Sequence, residues 1–517
     1  MRILACMTAL AIPFLSVAAQ NVDLGTDGQR EAGRAVYEAK CAHCHGSDGV
    51  PRPTAASVFR PAPRDFTTGT FKFRTTASGE LPTDEDIRNS IRNGMPYTAM
   101  PPWPSLSNAD VTNLMYHIKT FSSFFSGPFG EVTALEMPSP PSMTDESIAR
   151  GREVYETNQC SDCHGNRGLG DGPSATTLED RWGYPIRAAD MTKRWTFRGG
   201  GTREDIYQTF TTGLDGSPMP SFEISPREDQ WALVYYVYSL SRDEPNYATM
   251  VTAYATTRTI DLSQESFADI DLDIHPAYFP VVGQIIEPGR AFFPGVNGVE
   301  VRAVYNDEHI AIMLQWHDMA AETSGSNAPD LIAPGALDAD SDSTMVFSDA
   351  AAIQFPTVLS AGTEMPYFIF GDRKLSTDIW YADLARSGAT HYVGNGASNM
   401  REEGPELDVS ASFEEGEWTV IFRRARNEEA HIAFEEATFV PIAFSIWDGF
   451  SRERGNKRGL TSWAYLYMDV AVKESPVLPM MAYGFATLLL GLVVTFVTRK
   501  KVHGARASSD DQSGEEA

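Results

Sequence analysis

Two short cysteine–histidine motifs, 119 residues apart, constrain the fold of this 517-residue chain more than any other feature. Vicinal disulfides, a thioredoxin-like redox pair or a shared zinc site would not require a histidine directly after the second cysteine. Covalent attachment of haem c does, because two thiols form thioether bonds and the next imidazole binds the iron. We therefore predict two covalent haems c, held by Cys41, Cys44 and the proximal ligand His45, and by Cys160, Cys163 and the proximal ligand His164.

A methionine follows each motif at the same distance. Met100 in "GMPYTAMPPW" lies 59 residues after Cys41, and Met219 in "GLDGSPMPSF" lies 59 residues after Cys160. A low-spin cytochrome c needs a sixth iron ligand, usually a methionine thioether from a downstream loop. Met95 competes for the first iron, but Met100 shares both its spacing and its following proline with Met219. We predict that Met100 and Met219 complete the axial coordination of the two irons.

The residues around the motifs form an internal repeat. "VYEAKCAHCHG" matches "VYETNQCSDCHG", and the helix-like "NADVTNLMYHIKTF" matches "REDQWALVYYVYSL". The repeat predicts two all-α cytochrome c domains at 25–126 and 148–245, joined by a proline-containing linker at 127–147. Arg74 and Arg198 occupy equivalent places, where they would either pair with haem propionates or lie solvated at the surface.

Beyond the second repeat the pattern of apolar residues changes. From 258 to 474, short apolar stretches are separated by Gly, Pro, Asn and Asp. Apolar side chains alternate at Val299, Val301, Ala303 and Tyr305, which indicates a strand with one face buried. We predict an all-β sandwich over this region.

Several segments of the β region together resemble a known family. These are "YNDEHIAIMLQWHD", "DAAAIQFP", "PYFIFGD", "DIWYADL", "GEWTVIFRR" and "AFSIWDGFSRERGNKRGLTSW". The region resembles the haem-binding gamma subunit of ethylbenzene dehydrogenase and its relatives among the type II molybdopterin oxidoreductases. The resemblance implies a sandwich that holds a non-covalent haem b between a methionine and a lysine. It also implies electron transfer between an iron–sulfur subunit and an external cytochrome.

The resemblance points to candidate ligands for this haem b. The lysine position falls in "ERGNKRGLTSW", which makes Lys457 the implied ligand, although Arg458 stands where a strict spacing would place it. A solvated basic loop is the alternative. The family methionine lies beside a glycine–aspartate pair, where this chain has Phe370, so that Met365 is the nearest candidate. His391 or Met400 would be substitutes, or the domain has kept the fold without the cofactor.

The two ends of the chain indicate export and membrane anchoring. Residues 1–19 combine a basic start, an apolar stretch and a small-residue ending, which is typical of a cleaved signal peptide. An uncharged run of 21 residues begins at Val477 and would span about 31 Å as a helix, so we predict a transmembrane helix at 477–498. The basic residues that start the tail at 499–517 place it in the cytoplasm and the haem domains outside.

These features predict a membrane-anchored multihaem electron-transfer subunit at the periplasmic face of the inner membrane. It would relay electrons between a molybdenum/iron–sulfur oxidoreductase and the respiratory chain. The resemblance implies a molybdopterin catalytic subunit, an iron–sulfur subunit and a cytochrome or quinone-linked partner. The net charge of −27 argues against nucleic acid as a partner. An alternative is a dihaem cytochrome c whose haem-free sandwich is a docking or ligand-binding module for another membrane complex.

Catalysis by the chain itself is not expected. The two methionines would fill the sixth iron positions and leave a substrate no iron to bind. The sequence shows no nucleophile–base pair, phosphate loop or paired-carboxylate site. Trp316, His317 and Asp318 end a predicted strand, and we assign them to the fold rather than to catalysis.

Overall fold

The computed structural model describes ten stretches of the chain. They are 22–127, 132–268, 274–282, 295–332, 345–359, 364–397, 399–404, 407–426, 432–470 and 477–510. The predicted signal peptide at 1–19 lies outside them, as does the end of the predicted tail from 511.

The regular elements of the two N-terminal domains are helices. The first domain has α1 (Asp27–Lys40), α2 (Ala42–His45), α3 (Pro53–Val58), α4 (Asp84–Asn93) and α5 (Asn108–Lys119), with 3-10 turns at Phe66–Thr68 and Ser123–Ser126. The second has α6 (Asp145–Thr157), α7 (Ser161–His164), α8 (Arg203–Thr212) and α9 (Arg227–Leu240), with 3-10 turns at Ala175–Thr177 and Arg194–Thr196. Capping boxes start α1, α4, α5, α6 and α8, because a Thr or Ser before each helix accepts a backbone N–H of its first turn.

A glycine in each domain lets the first and last helices cross in direct backbone contact. A Cβ at Gly33 of α1 would lie 2.0 Å from the carbonyl oxygen of Asn113 in α5. At Gly151 of α6 it would lie 1.9 Å from the carbonyl oxygen of Ala232 in α9. Only a residue without a side chain fits at this distance. The repeat seen in the sequence is therefore also a repeat of helix packing.

The C-terminal half of the chain is a large β-sheet region. Its strands are β1 (Met250–Ala255), β2 (Ala277–Pro280), β3 (Gly298–Tyr305), β4 (His309–His317), β5 (Ala350–Pro356), β6 (Thr377–Asp383), β7 (Thr390–Gly394), β8 (Met400–Glu402), β9 (Asp408–Glu414), β10 (Glu417–Ala425), β11 (Phe439–Trp447), β12 (Gly459–Leu460) and β13 (Ala464–Met468). The strand order is β8-β7-β6-β5-β11-β13-β1-β3-β4-β10-β9, with β12 beside β11 and β2 beside β3.

Strand β11 connects the two halves of this sheet. Its first residues pair with β13, and its residues from Ala443 onward pair with β5. Ile312 and Phe422 from one half and Ile353 and Trp380 from the other enter a single buried cluster. The sheet therefore folds over on itself around one core, as a sandwich requires.

The sheet starts earlier than the predicted boundary at 258. Strand β1 begins at Met250 and runs parallel to both β13 and β3. Parallel strands are joined through distant parts of the chain, so no hairpin turn next to β1 marked it in the sequence. Strand β1 is recognised as a central strand only from its pairing with β13, which lies more than two hundred residues later in the chain.

The last described element is the long helix α10 (Val477–Asp510). Within the described residues, one helical segment, Met480–His503, is long and apolar enough to cross a membrane. Its apolar side chains, such as Met480 and Phe485, are exposed. The helix continues past the predicted end at 498, because Lys, Arg and Ala in the following residues favour helix although they are not apolar.

Candidate functional site

The first cysteine–histidine motif presents a proximal histidine in a fixed orientation. Nδ1 of His45 lies 3.0 Å from the carbonyl oxygen of Arg64, which only accepts, so this nitrogen carries the hydrogen. Burial lowers the pKa of His45, which keeps the imidazole neutral, and the ring of Phe66 stacks on it at 4.6 Å between centroids. The remaining nitrogen, Nε2, is the one available to an iron.

The two cysteines before this histidine are partly buried. Cys41 follows the last residue of α1, and Cys44 lies in α2 together with His45. Burial raises the pKa of Cys41 to about 11, with a smaller contribution from Cys44. Two cysteines directly before an imidazole are the groups that covalent attachment of haem c requires.

The second motif repeats the same arrangement. Nδ1 of His164 lies 3.0 Å from the carbonyl oxygen of Ala189, and burial lowers the pKa of His164. Burial also raises the pKa of Cys160 to about 11, and Cys163 is likewise partly buried. Both motifs therefore hold a neutral imidazole through a backbone carbonyl from a downstream loop.

The loops that carry the predicted methionine ligands are closed in the same way. The backbone N–H of Met95 donates to the carbonyl of Met100 at 3.0 Å, and that of Leu214 donates to the carbonyl of Met219 at 3.0 Å. Leu214 thus stands in the second loop where Met95 stands in the first. A thioether is common to both loops only at Met100 and Met219, which supports these two as the ligands. Iron coordination by them stays a prediction.

Arg74 is neither solvated nor a simple counterpart of Arg198. Its buried guanidinium donates to the carbonyl of Thr212 at 2.8 Å and lies 3.0 Å from a carboxylate oxygen of Asp215. Asp215 belongs to the loop that carries Met219, and Ser78 and the backbone N–H of Gly79 also donate to its carboxylate, each at 2.9 Å. The first haem domain therefore holds the methionine loop of the second. No sequence pattern indicated this contact.

A group of basic side chains between the two haem domains fits the propionates of haem. Burial lowers the pKa of Arg64, Lys72 and Arg198, and the nearby charges of Arg64 and Arg198 contribute to bringing that of Lys72 to about 8. Buried cations that are close together are costly unless an anion compensates them. The two carboxylates of a haem would do so. Arg198 is thus the member of the predicted pair that suits this role.

The residues proposed for haem b are not brought into a common pocket by any contact in the described part of the chain. Nζ of half-buried Lys457 donates to the carbonyl of Ser451 at 3.2 Å. Met365 is half-buried in the segment before Phe370. His391, a proposed substitute, pairs with buried Asp378. Ligation by Lys457 and Met365 stays a prediction that these contacts do not support.

Phe370, beside the glycine–aspartate pair, and Arg458, where a strict spacing would place the lysine, stack on each other. Both are fully buried, and the guanidinium carbon of Arg458 lies 3.6 Å from the ring centroid of Phe370. Nε of Arg458 donates to Ser445 Oγ at 2.9 Å, and the ring of Trp447 packs nearly parallel to that of Phe370 at 6.3 Å.

Phe370 and Arg458 cannot serve as axial ligands of a haem. A phenyl ring has no donor atom for iron, and a guanidinium has no acceptor lone pair and stays protonated in proteins. The two side chains instead contact each other directly. Phe370 also has φ 61°, an unfavourable value for an aromatic residue, which shows how firmly the packing fixes its ring. The residues at these positions do not fit haem b.

Comparison with protein families divides the chain as its structure does. Residues 28–118 match the model described as cytochrome c oxidase, cbb3-type, subunit III. Residues 148–241 match the cytochrome c model, and residues 288–406 match the ethylbenzene dehydrogenase model.

Individual relatives cover parts of the chain. A protein proposed as respiratory nitrate reductase heme subunit ORF7 of Haloferax mediterranei is 21% identical over 170 residues, 32% of this chain and 55% of the relative. The chain thus spans about half the length of that relative. A chain of the Kuenenia stuttgartiensis reducing HAO-like protein complex is 39% identical, with 43% of this chain and 100% of that chain covered and a TM-score of 0.39. A carbohydrate-binding module of family 9 from Caldicellulosiruptor kristjanssonii is 9% identical, with coverages of 44% and 100% and a TM-score of 0.24.

The family matches agree with the two haem motifs and with the β-sheet region that follows them. The chain therefore contains two segments that match cytochrome c models and, after them, a segment that matches the ethylbenzene dehydrogenase model, and it is similar to a protein proposed as a nitrate reductase heme subunit.

Proposed function

We propose that this protein is a membrane-anchored electron-transfer subunit that carries two covalent haems c and serves a respiratory oxidoreductase complex. The observation that carries the proposal is the repeated site, in which His45 and His164 each donate Nδ1–H to a backbone carbonyl at 3.0 Å. Haem c, when bound, supplies reversible one-electron chemistry that side chains do not.

The surrounding side chains give the two haem sites a fixed ligation and a fixed relative position. The carbonyls of Arg64 and Ala189 hold the proximal imidazoles in one tautomer and orientation. The ion pair of Arg74 with Asp215 joins the first domain to the methionine loop of the second. Electron transfer between two haems depends on a constant distance between them. The ion pair of Arg74 with Asp215 would keep this distance constant.

A molybdenum catalytic subunit with an iron–sulfur subunit is the proposed electron-transfer partner. Support comes from the ethylbenzene dehydrogenase-like domain and from the relative that is named a nitrate reductase heme subunit. The other partner would be a cytochrome or quinone-linked carrier of the respiratory chain. We propose that α10 anchors the subunit in the inner membrane, with the haem domains in the periplasm and the basic segment after Val497 in the cytoplasm.

A second candidate function assigns the β domain to docking alone. The stack of Phe370 on Arg458 favours it, because a domain without haem b relays no electron itself. The β domain also contacts the second haem domain directly, since Arg187 pairs with Asp448 and Arg167 pairs with Glu415 at 2.9 Å. In this form of the proposal the two haems c are the whole relay, and the β domain positions them against the catalytic partner.

Purification of the complex from its own membranes tests the proposal. The chain would be tagged at its C-terminus in the native host, extracted in mild detergent and analysed for haem, molybdenum and total iron, with an untagged strain as the control. Two haems c per chain, with stoichiometric molybdenum and iron beyond that of the haems, are expected. A homogeneous complex with both haems and no molybdenum would show that the proposed partner is wrong. The β domain would then be a docking module for another complex.

A further inference from the structure

Three aspartates meet at one end of the β domain, where it contacts the second haem domain. Asp318 follows β4, Asp349 precedes β5 and Asp448 follows β11, and all three are buried. One carboxylate oxygen of each lies within 4.8 Å of those of the other two. The half-buried Glu322 joins them, since its own backbone N–H donates to Asp349 at 2.8 Å.

The described residues supply less positive charge than this cluster requires. The guanidinium of Arg187, from the second haem domain, pairs with Asp448 and also contacts Ser451 Oγ at 3.3 Å. Asp349 accepts N–H donors from Gly449 at 2.8 Å and from the indole of Trp418 at 3.0 Å. These neutral donors orient the carboxylate but do not balance its charge. Arg187 therefore faces the carboxylates of this cluster, and the buried Glu453 adds a further negative charge near it.

Two carboxylate oxygens of the cluster are buried and have no protein partner among the described residues. Asp318 is 1% exposed, and its Oδ1 accepts the backbone N–H of Met319 at 2.7 Å. Its Oδ2 has no hydrogen-bond partner in the part of the chain that the structure describes, and neither has Oε2 of Glu322. Buried carboxylate oxygens are nearly always hydrogen-bonded or bound to a metal, because leaving one bare is costly.

The pKa values of the buried carboxylates are raised, as expected where negative charges are not balanced by positive ones. Burial, and then the charges of Asp448 and Asp349, raise the pKa of Asp318 well above its ordinary value. Burial and neighbouring carboxylates raise the pKa of both Glu322 and Asp349 to about 8. A cation among them would remove the repulsion that causes these shifts.

The donor set selects the kind of cation. All the available ligand atoms are carboxylate oxygens, which hard divalent ions prefer. The nearby His317 is excluded, because its two ring nitrogens lie 2.6 Å and 2.9 Å from the carbonyl oxygens of Gly416 and Leu169. An ion at about 2.4 Å from each oxygen, the usual distance for Ca²⁺, bridges oxygens up to about 4.8 Å apart. The carboxylate oxygens of the three aspartates lie within this distance of one another.

We propose that Asp318, Asp349 and Asp448, with Glu322, form a binding site for a divalent cation, Ca²⁺ in particular, at the junction between the β domain and the second haem domain. The site lies beside Arg187, two residues before Ala189, whose carbonyl holds the proximal His164. A bound ion would fix the junction that positions the second haem. The inference does not depend on the identity of the electron-transfer partner.

Calcium titration of the full-length haem-loaded protein tests the site. The protein would be purified in detergent, treated with EGTA, and titrated with CaCl₂ by isothermal calorimetry, with Mg²⁺ and Mn²⁺ in parallel. Metal content before chelation would be measured by mass spectrometry. One Ca²⁺ per chain and a higher unfolding temperature with Ca²⁺ are expected. If none of the three ions binds stoichiometrically, the proposal is wrong. Protons would then neutralise the buried carboxylates.

Substitutions of the proposed ligands, with a matched control, test which residues bind the ion. Asp318→Asn keeps the size of the side chain and is expected to weaken Ca²⁺ binding at least tenfold, whereas Asp307→Asn, in the exposed turn between β3 and β4, should bind like the wild type. Glu322→Gln, at a half-buried position, is a second variant in case Asp318→Asn does not fold. Soret and far-ultraviolet spectra would show which variants are folded. Unchanged Ca²⁺ binding in a folded Glu322→Gln or Asp318→Asn protein would contradict the assignment.

Discussion

Arg74 of the first haem domain and Asp215 of the second form an ion pair, 3.0 Å long, that connects one cytochrome c domain to the methionine loop of the other. Asp215 lies four residues before Met219 and has no acidic counterpart in the first loop, where Pro96 takes its place. The contact therefore makes the two repeats unequal. The loop of Met219, the predicted distal ligand of the second haem, is therefore held by the first domain.

Replacing Asp215 with alanine is expected to loosen the Met219 loop. Arg74 would lose its anionic partner while it remained buried, at a cost of about 2 kcal/mol, because it keeps its bonds to backbone carbonyls. The band for methionine coordination to ferric haem should weaken for one of the two haems. Glu223→Ala, an exposed acid four residues after Met219, is the control and should leave the band intact. An unchanged spectrum in Asp215→Ala would show that the loop holds itself.

The predicted axial methionines are tested against a methionine in the same loop. Met100→Ala and Met219→Ala should each remove about half of the methionine-to-iron band and lower the potential of one haem, because each removes one thioether ligand. Met95→Ala should change neither, since Leu214 replaces it in the second repeat. Visible spectra of the oxidised proteins and redox titrations would measure both effects. Loss of the band in Met95→Ala instead of Met100→Ala would reverse the assignment.

The haem content of the wild type should be two covalent haems c and no haem b. Acid acetone extraction and pyridine haemochrome spectra of both fractions measure this, in cells that mature cytochromes c. The stack of Phe370 on Arg458 is the reason, since neither side chain can ligate iron and the two contact each other directly. Lys457→Ala should therefore leave the haem content unchanged.

A double variant, Phe370→Met with Arg458→Lys, restores the ligand types that the resemblance implies. It tests whether the stack of Phe370 on Arg458 is by itself the reason that haem b does not bind. Binding of one extractable haem b by this variant would show that it does. One haem b per chain in the wild type, lost in Lys457→Ala, would contradict our interpretation of the site.

The glycines at the helix crossings are expected to be intolerant of a methyl group. Gly33→Ala and Gly151→Ala place a Cβ 2.0 Å and 1.9 Å from a backbone oxygen, so the helices must separate, at about 1–3 kcal/mol of unfolding free energy. Gly28→Ala is the matched control in α1, because nothing lies within 4 Å of its Cβ. This control should be neutral or stabilise by about 0.5 kcal/mol. Thermal unfolding followed at the Soret band would compare them, and equal behaviour of all three would show that the crossing adjusts freely.

The candidate haem sites could be predicted from local spacing, whereas contacts between distant parts of the chain could not be predicted. The cysteines, the histidine and the predicted distal methionine of each repeat follow one another at fixed intervals within one small domain. Arg74 and Asp215 are 141 residues apart and meet only because two domains dock, which no sequence period encodes. The aspartates are likewise joined by strand pairing, so Asp318 could be assigned from sequence only to the end of a strand. The stack of Phe370 on Arg458 was hidden for the same reason.

The stability of the protein should depend on pH in a way that Ca²⁺ changes. The pKa of Asp349 is raised from 3.8 to about 8 and that of Glu322 from 4.5 to about 8, so the folded protein keeps protons that the unfolded chain has lost in this range. Without the ion, the unfolding free energy therefore falls as pH rises towards 8, by up to about 1.4 kcal/mol per pH unit for each group. Glu322→Gln removes one such group, so its slope should be shallower than that of the wild type.

Saturating Ca²⁺ should oppose this fall, because the ion binds the deprotonated carboxylates and stabilises more at high pH than at low pH. Denaturant unfolding at several pH values, with Ca²⁺ and with EGTA, would measure both slopes. Asp307→Asn serves as the control, since an exposed carboxylate contributes little to either slope. Parallel slopes for the wild type and Glu322→Gln, together with no effect of Ca²⁺, would mean that the buried carboxylates are compensated by groups other than protons or the ion.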